Sequence, residues 1–163
     1  RGEEAVAAWL RHHLDDQWTL FRNLELPRVG GDIDAVLVGP RGIYVLEIKA
    51  FRGYYRNDSK KWQKRYGPIW HTLQRSPSRQ ALRNAQRLHD ALARCDFDIF
   101  VEPRVVWASR HKLWLKRPAV PVWQPKHPKW MLKDMDDGRV LAEVEVKQIL
   151  SILKAFHHTL AQR

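Results

Sequence analysis

The chain has 163 residues, 44% of them hydrophobic, enough for one domain with a real core and too few for two. Its single cysteine, Cys95, excludes an intrachain disulfide and a cysteine-based zinc site, which fits a reducing cytoplasm; no apolar run reaches the ~18 residues of a membrane span, and no signal peptide opens the chain. Lys and Arg number 29 against 18 Asp and Glu, a net charge of +11, so the expected partner is a polyanion, chiefly nucleic acid, with an acidic membrane surface as the lesser alternative.

Residues 2–14 read as a helix with Val6, Ala7, Leu10 and Leu14 on one stripe; Glu3 lies on that stripe and Glu4 points elsewhere. A strand follows at Trp18–Leu24, stopped by Pro27 and the Gly30–Gly31 pair. Ile33–Val38 and Ile43–Lys49 are two β-branched strands joined by Gly39-Pro40-Arg41-Gly42, a strong turn signal. Residues 51–78 are polar, basic and aromatic, and read as a strand edge plus a long loop. Gln80–Arg94 is a helix that buries Ala81, Ala85, Leu88 and Leu92, with Gln80, Asn84 and Arg87 on a polar flank. Val105–Ala108 is a strand and Val120–Trp123 another. Residues 110–133, with four prolines and no acid, read as an extended basic segment. Val144–Ala161 closes the chain as a helix facing inward with Val146, Ile149, Leu150, Leu153 and Phe156. This order predicts an α/β fold with one mixed sheet flanked by helices.

The hairpin carries the chemistry. A turn at Pro40-Arg41 sets Val38 across from Ile43 and Val36 across from Val45; counting outward, Asp34 meets Glu47 and Asp32 meets Lys49. All these pairs share one face, apolar near the turn and charged at its open end. The other face, with Ile33, Ala35, Leu37, Tyr44, Leu46 and Ile48, is apolar throughout, so the hairpin belongs inside the sheet. Two opposed carboxylates in such a place repel each other and resist desolvation. A divalent cation with oxygen ligands is the simplest compensation. Lys49 adds a charge that holds a scissile phosphate or polarises an attacking water. Together these are what metal-assisted phosphodiester cleavage requires. As a bare pattern, Glu-x-Lys also describes a salt-bridge ladder on a solvated strand end. The apolar flanks, the opposed acids and the spacing favour the site.

Asp34 followed after twelve residues by Glu47-Ile48-Lys49 resembles the PD-(D/E)xK nuclease superfamily. Gly2-Glu3 with Val6 and Leu10, then Asn23-Leu24, Leu26-Pro27, the run from Ile33 to Lys49, Gly53, Gln80 and Asn84 together resemble its NERD (nuclease-related domain) family. The resemblance covers roughly the first hundred residues and implies a restriction-endonuclease-like core and Mg²⁺-dependent attack on DNA, with Mn²⁺ able to substitute. By motif position it assigns Glu3, Asp34 and Glu47 as metal ligands, Lys49 as the catalytic lysine and Gln80 as the glutamine on the helix behind the site. Asp32 and Glu4 are departures and alternative ligands. An acid such as Glu3 in a first helical turn is also favoured by the helix dipole alone. Members of this family are often fused to kinase or helicase domains, and a start at Arg1 reads as a piece of a longer protein, such as a defence or repair protein.

Residues 51–79 carry eight Lys or Arg against Asp58 alone, interleaved with Tyr54, Tyr55, Trp62, Tyr66 and Trp70. Cations neutralise phosphates and aromatics stack on unpaired bases. Arg52, Arg56, Lys60, Lys61, Lys64 and Arg65 are therefore the candidate nucleic-acid contacts, with DNA the expected partner and RNA also admitted. The histidines lack metal-ligand spacing. The competing function is a nuclease-like fold that grips nucleic acid or docks a partner without cutting.

Overall fold

In the computed structural model, which describes residues 2–27 and 31–161 (158–161 by backbone alone), helix α1 (Gly2–His13) is followed by strands β1 (Thr19–Glu25), β2 (Asp32–Gly39) and β3 (Gly42–Lys49). Arg1, Gly30 of the expected Gly30–Gly31 stop, and the His158 side chain lie outside the described residues. The Pro40-Arg41 turn sets Val38 opposite Ile43 and Val36 opposite Val45, the register that the turn predicts. Gly42 takes φ 128°, a backbone that an L side chain rarely adopts. At Gly39 a Cβ would run into the Trp18 indole, so the turn admits only glycine at both ends.

The second half of the chain adds β4 (Tyr55–Ser59), β5 (Lys61–Tyr66), β6 (Ile69–Thr72), α2 (Pro77–Ala93), β7 (Glu102–Trp107), β8 (Leu113–Pro118), β9 (Val122–Trp123), α3 (Pro128–Asp136) and α4 (Glu143–Ala161). Two mixed sheets result, not the single sheet expected. The larger has the order β1-β2-β3-β7-β9, antiparallel through β3 and parallel from β3 to β9. The smaller has the order β6-β5-β4-β8, with β4 and β8 parallel. With helices packed on them, the two sheets make a mixed α/β architecture.

Residues 51–78 thus form three strands where a strand edge and a long loop were expected, and 110–133 hold, besides the expected strand at β9, the strand β8 and the start of α3 rather than one extended segment. The smaller sheet is anchored by Trp62, which is fully buried, stacks on Trp107 at 5.3 Å and donates from Nε1 to Ser78 Oγ at 2.7 Å. Tyr55 and Leu113 join it in one apolar layer against Ala81, Val105 and Val122. Helix α2 begins three residues earlier than the apolar stripe implies. Ser76 caps it, accepting from Arg79 N at 3.3 Å, and Pro77 occupies its first turn.

Each face of the larger sheet has its own core. Val6 and Leu10 of α1 pack with Ala35, Leu37, Tyr44 and Leu46, while α2 and α4 cover Val36, Val38, Ile43 and Val45. Ile33 corrects the simple alternation, because it packs with Val36 and Val45, not with Ala35 and Leu37. Leu24, its partner across the ladder, sits in the same layer as Phe21, three residues away. Between the Arg22–Ala35 and Leu24–Ile33 pairs of the ladder, Asn23 adopts φ 53°. Both strands therefore change face at this point, which a two-residue period cannot describe.

Candidate active site

Glu47 and Lys49 continue the Ile43–Val45 face of β3, toward α2. In the parallel ladder they stand beside Val105 and Trp107 of β7. Glu47 is only 6% exposed. Lys49 Nζ lies 3.1 Å from Glu47 Oε1, and Asn84 Nδ2 of α2 donates to Oε2 at 3.4 Å. Burial pushes the Glu47 carboxyl above its ordinary range; Lys49 opposes this and the charge of Asp34 reinforces it. Asp34, half-buried, is thus electrostatically in touch with Glu47, although the β2–β3 ladder itself closes at Ala35–Leu46, short of that pair.

Asn84 is itself held. Arg87 Nη1 donates to its Oδ1 at 2.8 Å, and Arg87 Nη2 donates to the Gly31 carbonyl at 3.0 Å. Burial and the neighbouring Arg83 lower the Arg87 pKa, and Asp32 opposes them. A relay thus runs from the start of β2 through Arg87 and Asn84 to Glu47 and Lys49. One turn before Asn84 on α2, Gln80 buries its Oε1 with no hydrogen-bond partner. Asn84 and Arg87 are the site residues that the sequence reading left on a polar flank. Their i, i+3 spacing marks the flank, but only the fold brings it against Glu47.

Asp32 is exposed and pairs with Glu25 of β1, and its charge bears on Arg87. The expected Asp32–Lys49 pair is absent from the described ladder; Lys49 is taken up by Glu47. On α1, Gly2 lies so close to Ala50 that a Cβ there would come within 2.8 Å of the Ala50 methyl. This sets half-buried Glu3 near the exit of β3, with α1 on the opposite face of the sheet from Glu47, while Glu4 is exposed. Among the described residues no three His, Cys, Asp or Glu side chains converge to hold a metal ion. The pair Asp34 and Glu47 nonetheless fits Mg²⁺, which keeps several waters and needs only one or two carboxylates. Burial and the charge of Asp34 both disfavour the ionised Glu47, a cost that a bound cation would offset.

Lys49 Nζ also lies 5.6 Å from the Phe51 ring centre, and Phe51 packs on Tyr55 at 5.4 Å. Lys64, opposite Tyr55, shares that inward side, with Nζ 5.6 Å from the Tyr55 ring and 5.0 Å from that of Tyr66. Arg56, Lys61 and Arg65 alternate onto the other, outward face of the smaller sheet. Arg52 is exposed in the β3–β4 connection and Lys60 in the β4–β5 turn. The basic run thus divides between two sides of one sheet. Arg104 is a core residue: 6% exposed, it donates to Asp134 at 2.7 Å and to Glu102 at 3.2 Å.

The model of the nuclease-related domain family (NERD) matches residues 1–108, which span α1, the hairpin, the first three strands of the smaller sheet, α2 and β7. No curated protein and no solved structure matches the chain. The chain belongs to the nuclease-related domain family.

Proposed function

We propose that this member of the nuclease-related domain family hydrolyses phosphodiester bonds of DNA at the Asp34–Glu47–Lys49 end of its hairpin. The observation that carries the reading is Glu47: a buried carboxylate clasped by Lys49 on one oxygen and Asn84 on the other, with Asp34 pressing on it. A surface ladder would leave that carboxylate solvated and its pKa near the ordinary range.

In this reading Asp34 and Glu47 hold Mg²⁺, or Mn²⁺ in its place. When bound, such an ion supplies charge for the developing phosphorane oxygens and a more acidic water. Cleavage forms one P–O bond to the water oxygen and breaks another to the leaving sugar oxygen; the proton that water gives up is balanced by the proton the leaving oxygen takes. Lys49, fixed by Glu47, presents its ammonium to the non-bridging phosphate oxygens. Asn84 and Arg87 keep Glu47 from rotating away from that position. Gln80, on the same helix as Asn84, is assigned the attacking water in this reading. Arg52 and Lys64 flank the site on the side where a backbone would enter.

The test is incubation with plasmid and single-stranded DNA in Mg²⁺, Mn²⁺ or EDTA, beside a Lys49→Ala control. Metal-dependent nicking lost in the control supports the reading, and no cleavage under any metal ends it. A second reading, a nuclease-like module that binds nucleic acid without cutting, draws on one observation: the lack of a convergent acidic trio among the described residues.

A further inference from the structure

The outward face of the smaller sheet, turned away from Lys49, concentrates what the site does not use. Trp70 and Trp114 meet edge to face at 5.9 Å, and Tyr54 lies 6.0 Å from Trp114. Cations stand over each ring: Arg56 at 4.3 Å from Trp70, Arg65 at 4.9 Å from Tyr54, and Lys112 at 4.7 Å from Trp114. Trp114 is 38% exposed and Tyr54 45% exposed, and Trp70 beside them is half-buried, so aromatic surface lies open on this face. Beside them a groove of about 740 Å³ runs between Arg56, Lys61, Gln63, Trp70, Trp114 and Lys116. Its acid, Asp58, is partnered by Arg117 at 3.6 Å.

We propose that this face is a stacking platform for single-stranded DNA, distinct from the cleavage site, in which unpaired bases lie on Trp70 and Trp114 while Arg56, Arg65, Lys112 and Lys116 hold the phosphates. Exposed aromatics interleaved with cations match what an unpaired strand presents, which is π faces joined by charge. A four-stranded sheet bearing surface aromatics is a known geometry for stacking two or three bases. A duplex hides its bases and would use only the cations. A protein partner is disfavoured by the lysines, which interface cores deplete. Trp114 and Lys116 sit on β8, beyond the residues that the family model matches, so the platform is completed by this chain's own C-terminal part. The proposal rests on the reading that the chain acts on DNA, but it fixes the strand class and adds a second surface.

Binding of an oligothymidylate of about 15 nucleotides, followed by tryptophan fluorescence and anisotropy in EDTA, tests the platform without any need for cleavage. A failed cleavage assay and a failed binding assay are therefore separable. The expected result is quenching on binding, with affinity well above that for an abasic oligomer of equal length or for a duplex. Two stacking contacts at the weak end of their usual strength multiply to roughly 30-fold. The double variant Trp70→Thr/Trp114→Thr should lose about that factor for oligothymidylate, with the abasic oligomer bound within about twofold of the parent. Equal binding of base-bearing and abasic oligomers by the parent chain overturns the proposal without any variant that must fold. Equal affinity for duplex, or a double variant that binds as the parent does, also overturns it.

Discussion

Asn84 Nδ2 reaches across from α2 to Glu47 Oε2 at 3.4 Å, on the carboxylate oxygen that Lys49 leaves free. This bond lowers the Glu47 pKa, against the burial that raises it. Asn84→Ala should therefore raise that pKa further and move the acidic limb of the pH–cleavage profile to higher pH. Losing one hydrogen bond to a charged group, at the weak end of ~1.5–3 kcal/mol, should slow cleavage about tenfold near neutral pH. Plasmid nicking measured across pH checks this. A slower enzyme with an unshifted profile would mean that Asn84 only supports the helix.

Glu47 should also be felt as a cost to stability in the absence of metal. The folded state favours its protonated form, because burial raises its pKa above the ordinary 4.5. As pH rises through this window the unfolded carboxyl ionises first, and the fold loses stability relative to it. Glu47→Gln, measured without divalent ions, should accordingly have the higher Tm at pH 7. The difference should shrink as pH falls toward and below 4.5, where both states carry the proton. A variant that melts lower at pH 7 would show that the Lys49 ion pair outweighs desolvation.

A cation bound by the carboxylate pair reverses that balance. Ligand at a hundredfold excess over its Kd stabilises by about 2.7 kcal/mol, and a chain of this size gains roughly 2–4 °C per kcal/mol. Mg²⁺ or Mn²⁺ should thus raise Tm by about 5–10 °C in thermal melts. Asp34→Asn and Glu47→Gln should each abolish most of the rise. Glu3→Gln reports separately on α1, since it sits on the opposite face of the sheet from Glu47. An equal rise in Asp34→Asn moves the metal elsewhere.

Much of this arrangement is written locally. Gly39-Pro40-Arg41-Gly42 fixes the hairpin register, and the stripes Val6–Leu10 and Ala81–Leu92 fix which helix faces are buried. From these the placement of Glu47 and Lys49 on one face follows. What is not local was not legible. Lys61–Tyr66 has no apolar alternation, because only Trp62 of that strand reaches the core. Its strand character comes from neighbours on either side and from Trp107 beneath it. Ile33 changes layer next to the point where Asn23, an ordinary-looking strand residue, takes a left-handed backbone. Arg104 looks like a surface cation until Asp134, thirty residues on, supplies its partner. The Asn84–Glu47 bond likewise spans 37 residues.

Chemistry and binding should separate by mutation, and the two sides of the smaller sheet sharpen how. Lys49→Ala removes the cation nearest the Asp34–Glu47 pair, so cleavage should fall by at least ~100-fold, the scale of deleting one transition-state electrostatic contact. DNA affinity, spread over many phosphate contacts, should change little. A melt in Mg²⁺ shows whether the variant remains folded, because Glu47 loses its ion-pair partner in it. Neutralising Lys60, Lys61, Lys64 and Arg65 together should do the reverse, weakening binding and flattening its log–log salt dependence by about one unit per lost contact. Within that set Lys64 alone shares the inward side with Phe51 and Lys49. Lys64→Gln should therefore raise KM for a short duplex, whereas Lys61→Gln and Arg65→Gln should weaken long or single-stranded DNA more than the short duplex. If Lys49→Ala cuts as the parent does, the hairpin is not the catalytic centre. If Lys64→Gln and Arg65→Gln behave alike on the short duplex, the two faces do not divide the work.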